Sequence, residues 1–242
     1  MKQVSSAGLI AASVVGAIGL VLAGALIGLG FYEARASRPS VMVKGLAEQF
    51  VQADIALWPL RVTATGDDLA AVQAKIDADL EALIAFLTER GIEPEAIRPQ
   101  RVEVTDLLAQ AYRREGAESN RFIIAQTVIV RSTNVERIAT LNRETGELVR
   151  RGVVLTDNAG PTYLFTRLNE IKPAMLAEAT RNARRSAEQF AADAGSTIGG
   201  IRRASQGVFQ ILPRDPLPGV AQTNQIEKKV RVVSTIEYFL AE

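Results

Sequence analysis

The chain contains no cysteine and no histidine among its 242 residues. Without cysteine there is no disulfide, thiol nucleophile, thiolate metal cluster or redox pair. Without histidine there is no Ser-His-Asp triad and no HExxH zinc site. A domain folded from it is held by its core, and the missing cysteines are compatible with an oxidising compartment. A dominant charge is also missing: 28 Lys and Arg offset 27 Asp and Glu, both signs interspersed, for a net +1. No extended electropositive field follows, so nucleic acid is not an expected partner. Aromatic residues make up only 5% of the chain and Trp58 is the single tryptophan, which reads as a core anchor. The chemistries left open are carboxylate catalysis, Ser-Lys catalysis, oxygen-ligated metals and plain binding. No Ser-x-x-Lys pair stands at a helix start to favour the second.

What is present first is an uncharged run over residues 4–32, interrupted by Ser5, Ser6 and Ser13. About 20 apolar residues rising 1.5 Å each match a hydrocarbon core of roughly 30 Å, so the run is predicted to be a transmembrane helix. Ala34-Arg35-Ala36 also offers a small-x-small cleavage site, but the apolar region of a secretory signal is only about 7–15 residues long. The expectation is an uncleaved anchor and flank over 1–36 and an extracytoplasmic domain over 37–242. Lys2 on one side and Arg35 and Arg38 on the other do not decide the orientation. A single signal-anchor normally leaves its long C-terminal part outside. That places the chain as a single-pass protein of the bacterial inner membrane, with its domain in the periplasm. Within the run, Gly8, Ala12, Gly16, Gly24 and Gly28 recur at four-residue spacing, a stripe that lets a second membrane helix approach closely.

About 205 residues remain, enough for one large domain or two small ones. Extended runs are predicted over 41–44 and 53–65. In the second, Ala56, Trp58, Leu60, Val62 and Ala64 alternate onto one face, and Pro59 calls for a free edge or a bulge. Asp67 and Asp68 start a helix whose Ile76, Leu80, Leu83, Ile84 and Leu87 lie at helical spacing before Gly91 ends it. Strands are expected over 98–108, 121–131, 153–156, 162–169, from about 200 to 212 and over 230–240, with a helix over 135–150. A third helix over 173–194 carries Ala179, Ala183, Ala187 and Ala191 in one ladder, with Met175, Leu176 and Phe190 nearby, a flat face suited to close packing on a sheet.

Several groups invite a chemical reading and favour a plainer one. Asp67, Asp68, Asp77 and Asp79 have the ligand chemistry for a hard cation, but capping and solvation account for them. Arg181, Arg184 and Arg185 resemble an anion site, but Glu178 and Glu188 sit at pairing distance on the same helix. The Gly195, Gly199, Gly200 spacing lacks the Lys-Ser/Thr of a phosphate-binding loop. The loop over 213–225 reads as a proline-rich hairpin connection, and Glu227-Lys228-Lys229 as the solvated start of the last strand.

Taken in order, these segments resemble the SIMPL domain family, the YggE-like extracytoplasmic proteins of bacteria, over residues 40–241. The matching features are Val41-Met42-Val43-Lys44-Gly45, Asp54 leading the second strand, Gly91-Ile92, the strand over 120–130, the helix with Ala183 and Ala187 followed by Gly195 and Gly199, and the closing strand. Ala53 stands where proline commonly precedes the aspartate. The resemblance implies an α+β fold of antiparallel sheet with packed helices, here expected as two α/β halves behind the N-terminal transmembrane helix. It also implies homo-oligomers and an envelope or stress-related role, and it carries over no catalytic residue, metal site or cofactor. The expected function is therefore a non-enzymatic, membrane-anchored envelope protein that self-assembles, with another envelope protein as a further partner. The alternative is a small-ligand or metal-ion binder, or an enzyme using carboxylate chemistry.

Overall fold

The computed structural model describes residues 6–35, 39–109, 120–156, 159–216 and 218–241. Helix α1, Ser6–Arg35, comes first. Among the described residues no helix is long and apolar enough to cross a membrane. The described side chains of α1, over 15–29, are all exposed. Gly8 and Ala12 lie outside the residues whose surroundings are described. Gly16, Gly24 and Gly28 face open space.

The rest is α+β, with two antiparallel sheets and their own packed helices. One sheet contains β2 (Ile55–Gly66), β3 (Ile97–Asp106), β4 (Phe122–Ser132), β5 (Leu155–Thr156) and β6 (Thr162–Leu164) in the order β3-β4-β2-β5, with β6 also on β2. Its inward face carries Ala56, Trp58, Leu60, Val62 and Ala64, all buried as the alternation predicts. Helices α2 (Leu69–Glu89), α3 (Val135–Glu144) and α4 (Gly146–Arg150) supply Val72, Ile76, Leu83, Phe86, Ile138, Leu141 and Leu148 to the same core. Pro59 sits where expected. The amide of Thr63 donates to Val154 O, so by strand alternation the nitrogen of Pro59 faces the same side of β2. There β6 pairs residues 55–57 and β5 pairs 61–62, leaving the edge open at 58–60.

The other sheet contains β1 (Ser40–Gln52), β7 (Thr197–Gln206), β8 (Gln210–Pro213) and β9 (Glu227–Ala241), in the order β1-β9-β7 with β8 also on β9. Helix α5, Leu168–Asp193, brings the alanine ladder to it, with Ala179, Ala183, Ala187 and Ala191 all buried. The chain divides into two compact units. One comprises 1–44, 183–205 and 235–242 and is cored by Val43, Ala183, Ala187, Ile236 and Tyr238. The other comprises 45–182 and 206–234. It holds the β2–β6 core and a smaller one of Ala47, Phe165, Met175, Ala179, Val230 and Val232.

Several sequence expectations are corrected. β1 runs to Gln52 rather than stopping at residue 44. The helix expected over 135–150 breaks at Thr145, where Leu148 N bonds Thr145 O in a tighter turn ahead of α4. α5 begins at Leu168, five residues before Pro173, because Leu168 and Ile171 pack into the smaller core. Phe190 points outward and is exposed. The strand expected up to residue 212 divides into β7 and β8. At the break Gly207 N donates to Val233 O, and a Cβ on Gly207 would lie 2.6 Å from that oxygen.

Candidate functional site

The free side of β1 is the first candidate. Its inward residues Val43, Gly45 and Ala47 are buried, while Met42, Leu46 and Phe50 stand on the opposite face at 62%, 40% and 63% exposure, alternating with the charged Lys44 and Glu48. β1 ends its sheet, and no described strand pairs its other side. About half of the backbone donors and acceptors of this thirteen-residue strand face away from β9, and with the exposed apolar side chains beside them they form a template for another chain. Anchoring contacts fix the strand within each unit. In one, Ser40 Oγ donates to Glu237 Oε1 at 2.7 Å and Arg202 Nη1 donates to the same oxygen at 2.9 Å. The hydroxyl and the arginine outweigh the effect of burial and hold the Glu237 carboxyl below its usual pKa. In the other, Asn182 Nδ2 donates to Leu46 O at 2.7 Å, and the Arg214 guanidinium lies 5.4 Å from the centre of the Phe50 ring.

β7 is the second edge of this sheet and is exposed along nearly all its length, with Arg202 and Arg203 on it. β3 is the edge of the other sheet and is guarded: it bulges between Pro99 and Val102 and carries Arg98, Arg101 and Glu103, devices that discourage strand addition. Among the described strands, β1 alone combines thirteen residues, several exposed large apolar side chains and an uninterrupted run.

The sequence-predicted aspartates do not converge. Asp67 Oδ1 accepts from Arg121 N, Asp68 caps α2 by accepting from Ala71 N, and Asp77 accepts from Gln73 Nε2. Asp79 is not solvated as expected: it is 4% exposed, ion-paired with Lys75, and its Oδ2 has no hydrogen-bond partner. Among the described residues no group of three or more acidic side chains is placed to hold a metal ion. Arg184 pairs with Glu188 at 2.9 Å, as the helical spacing predicts.

Asp54 ties the start of β2 to the segment before α5. Its carboxylate accepts from Thr166 N and Thr166 Oγ1, both at 2.7 Å, and lies 3.4 Å from Arg167 Nε. Partial burial raises its pKa, but the hydrogen bonds and Arg167 outweigh that and hold the carboxyl below its usual range. A lowered carboxyl pKa stabilises the fold above the unfolded value of about 4, and that stabilisation is lost as pH falls through the folded pKa. Asp54→Asn is expected to cost about 1–2 kcal/mol at pH 7. In circular-dichroism melts the gap to wild type closes below about pH 4; a gap constant down to pH 3 would contradict this role.

Gly91 adopts φ +76°, and a Cβ there would lie 2.3 Å from the Arg137 guanidinium. The positive φ explains why glycine ends this connection, since the guanidinium is the movable end of a flexible side chain. Gly195, at φ +68°, turns the chain out of α5, and a Cβ on Gly199 would press on Phe239 at 3.4 Å.

Sequence reasoning missed two features. Lys228 is buried rather than solvated. Its Nζ donates to Gln222 O at 2.7 Å, Gln225 O at 3.0 Å and Gln222 Oε1 at 3.3 Å, and burial pushes its pKa down. With its donors spent on loop oxygens, it staples the turn over 222–225. The second is a groove of about 460 Å³ bounded by 91–98 and 131–137, with Arg98, Arg131 and Arg137 among the residues that line it. Its signal in the sequence was absent, because the three arginines lie on β3, β4 and α3.

Comparison with protein-family models matches residues 41–237 to SIMPL, described as a protein of unknown function (DUF541). Comparison with curated proteins finds no match.

Proposed function

The chain belongs to the SIMPL family, and from that premise we propose that it acts by assembly rather than catalysis, as a membrane-anchored protein of the cell envelope. The observation that carries this reading is β1, a thirteen-residue edge strand with Met42, Leu46 and Phe50 exposed beside its free backbone. Pairing of this edge with a second copy satisfies the open amides and carbonyls and covers the apolar stripe in one step. The anchor in this reading is the uncharged run over 4–32, which would hold the chain in the bacterial inner membrane with its domain on the periplasmic side. Gly16, Gly24 and Gly28 would add a helix-helix contact there.

The test is absolute mass by light scattering on the full chain in mild detergent and on residues 38–242 in buffer. The domain is expected to fold without α1, since all three core clusters lie within residues 41–238 and the described α1 side chains are exposed. Both forms are expected at several times the mass of one chain. Monomers of both would remove the reading, and assembly of the full chain alone would transfer it to the glycine stripe. A second reading, small-ligand binding, is favoured by the arginine-lined groove.

A further inference from the structure

Arginines placed side by side without acidic partners cost stability unless something else neutralises them. Arg98 pairs with Ile129 across the β3–β4 ladder and Ile97 with Val130. Arg131 therefore lies diagonal to Arg98 on the same face, roughly 7–8 Å away along the backbone. Among the described residues neither guanidinium has a hydrogen-bond or ion-pair partner. Most of the other described arginines of this unit are paired: Arg61 with Glu103, Arg90 with Glu144 and Glu147, Arg121 with Asp106, Arg151 with Glu89 and Glu147. Among the described residues Arg101, Arg143, Arg150 and Arg181 also lack an ion pair, but only Arg98 and Arg131, together with Arg137, line this groove.

Arg137 completes the set. Its Nη1 donates to Gly91 O at 2.9 Å, which fixes the guanidinium at the groove and leaves its other donors free of that bond. The start of α3 contributes little, because Asn134 Oδ1 already accepts from Arg137 N at 3.0 Å. The recognition elements are thus the three side chains. Glu93 and Glu95 also line the groove, but no ion pair joins either to these arginines. Their negative charge opposes an anion and sets a limit on affinity.

We propose that this groove binds a phosphate monoester, its phosphoryl group held by Arg98, Arg131 and Arg137 and its organic part occupying the remaining volume. Guanidinium forks match phosphate oxygens in geometry and bind them with charge-assisted hydrogen bonds. A volume of about 460 Å³ exceeds that of phosphate alone and falls within the range of small-molecule sites. The inference deepens the ligand-binding reading and does not depend on β1 pairing, because its readout is heat of binding and not mass.

The experiment is isothermal titration of the full chain in mild detergent with inorganic phosphate and then pyrophosphate, at constant ionic strength. One saturable site per chain is expected, tighter for pyrophosphate. Arg98→Gln and Arg131→Gln each weaken it about tenfold, the loss of about one charge-assisted bond. All three side chains are exposed, so the variants are expected to melt with wild type. Glu95→Gln provides an opposite arm, since removing a rim carboxylate tightens binding severalfold. Absence of saturable uptake overturns the proposal. So does uptake that Arg98→Gln and Arg131→Gln leave unchanged, or a Glu95→Gln variant that binds no better than wild type.

Discussion

Trp58→Ala is expected to lower stability by about 3–5 kcal/mol, the cost of emptying a large buried aromatic site. Trp58 is fully buried on the inward face of β2, within the cluster that includes Leu60, Ile76, Phe86 and Val128. For a domain of this size each kcal/mol shifts the melting temperature by about 2–4 °C, so the fall should be about 6–20 °C. Trp58→Phe should behave differently. The indole Nε1 is buried without a hydrogen-bond partner, and such a donor carries its own desolvation cost of about 1–3 kcal/mol. Phenylalanine removes that donor while keeping most of the ring, so its net loss should stay below about 1.5 kcal/mol. Circular-dichroism melts separate the two, and equal losses in both variants would show that the indole's shape, not its volume, sets the core.

The second large effect concerns association. Replacing Leu46 and Phe50 by lysine places two like charges per chain on the exposed stripe of β1 and should reduce residues 38–242 from an assembly to single chains. Both side chains point away from the core, so folding should be almost unaffected, within about 0.5 kcal/mol per exposed site. Loss of the Arg214 contact with the Phe50 ring adds about 0.5–1 kcal/mol at most. Light scattering and a melt on the same sample check both halves. An assembly that persists in the double variant, with the melt unchanged, would move the interface away from this stripe.

Where hydrophobic periodicity is strong the sequence spoke plainly. The alternation from Ala56 to Ala64, the ladder from Ala179 to Ala191, the Asp68 cap and the Gly91 turn all appear where their residue types require. The second half of β1 was hidden because its inward residues Gly45 and Ala47 are too small to produce a visible alternation, while Leu46 and Phe50 face outward. Lys228 was misread because its partners are loop oxygens at 222 and 225, and nothing in a Glu-Lys-Lys triplet announces such a staple. Asp79 was misread because its burial depends on the helix's rotation against the sheet, which spacing alone gives only to within a residue. The arginine groove was invisible for a different reason: strand register sets Arg98 beside Arg131, and the packing of α3 brings Arg137 to the same groove, neither being a property of local sequence.

The most direct test of edge pairing is amide hydrogen exchange of the segment 40–52, measured on residues 38–242 above and below the concentration at which the assembly dissociates. In a lone chain about half of these amides bond to β9 and half face solvent. If β1 pairs between copies, the outward half becomes protected on assembly while exchange in the β2–β4 core stays constant. Unchanged exchange over 40–52 in a sample whose mass is several chains would contradict the account.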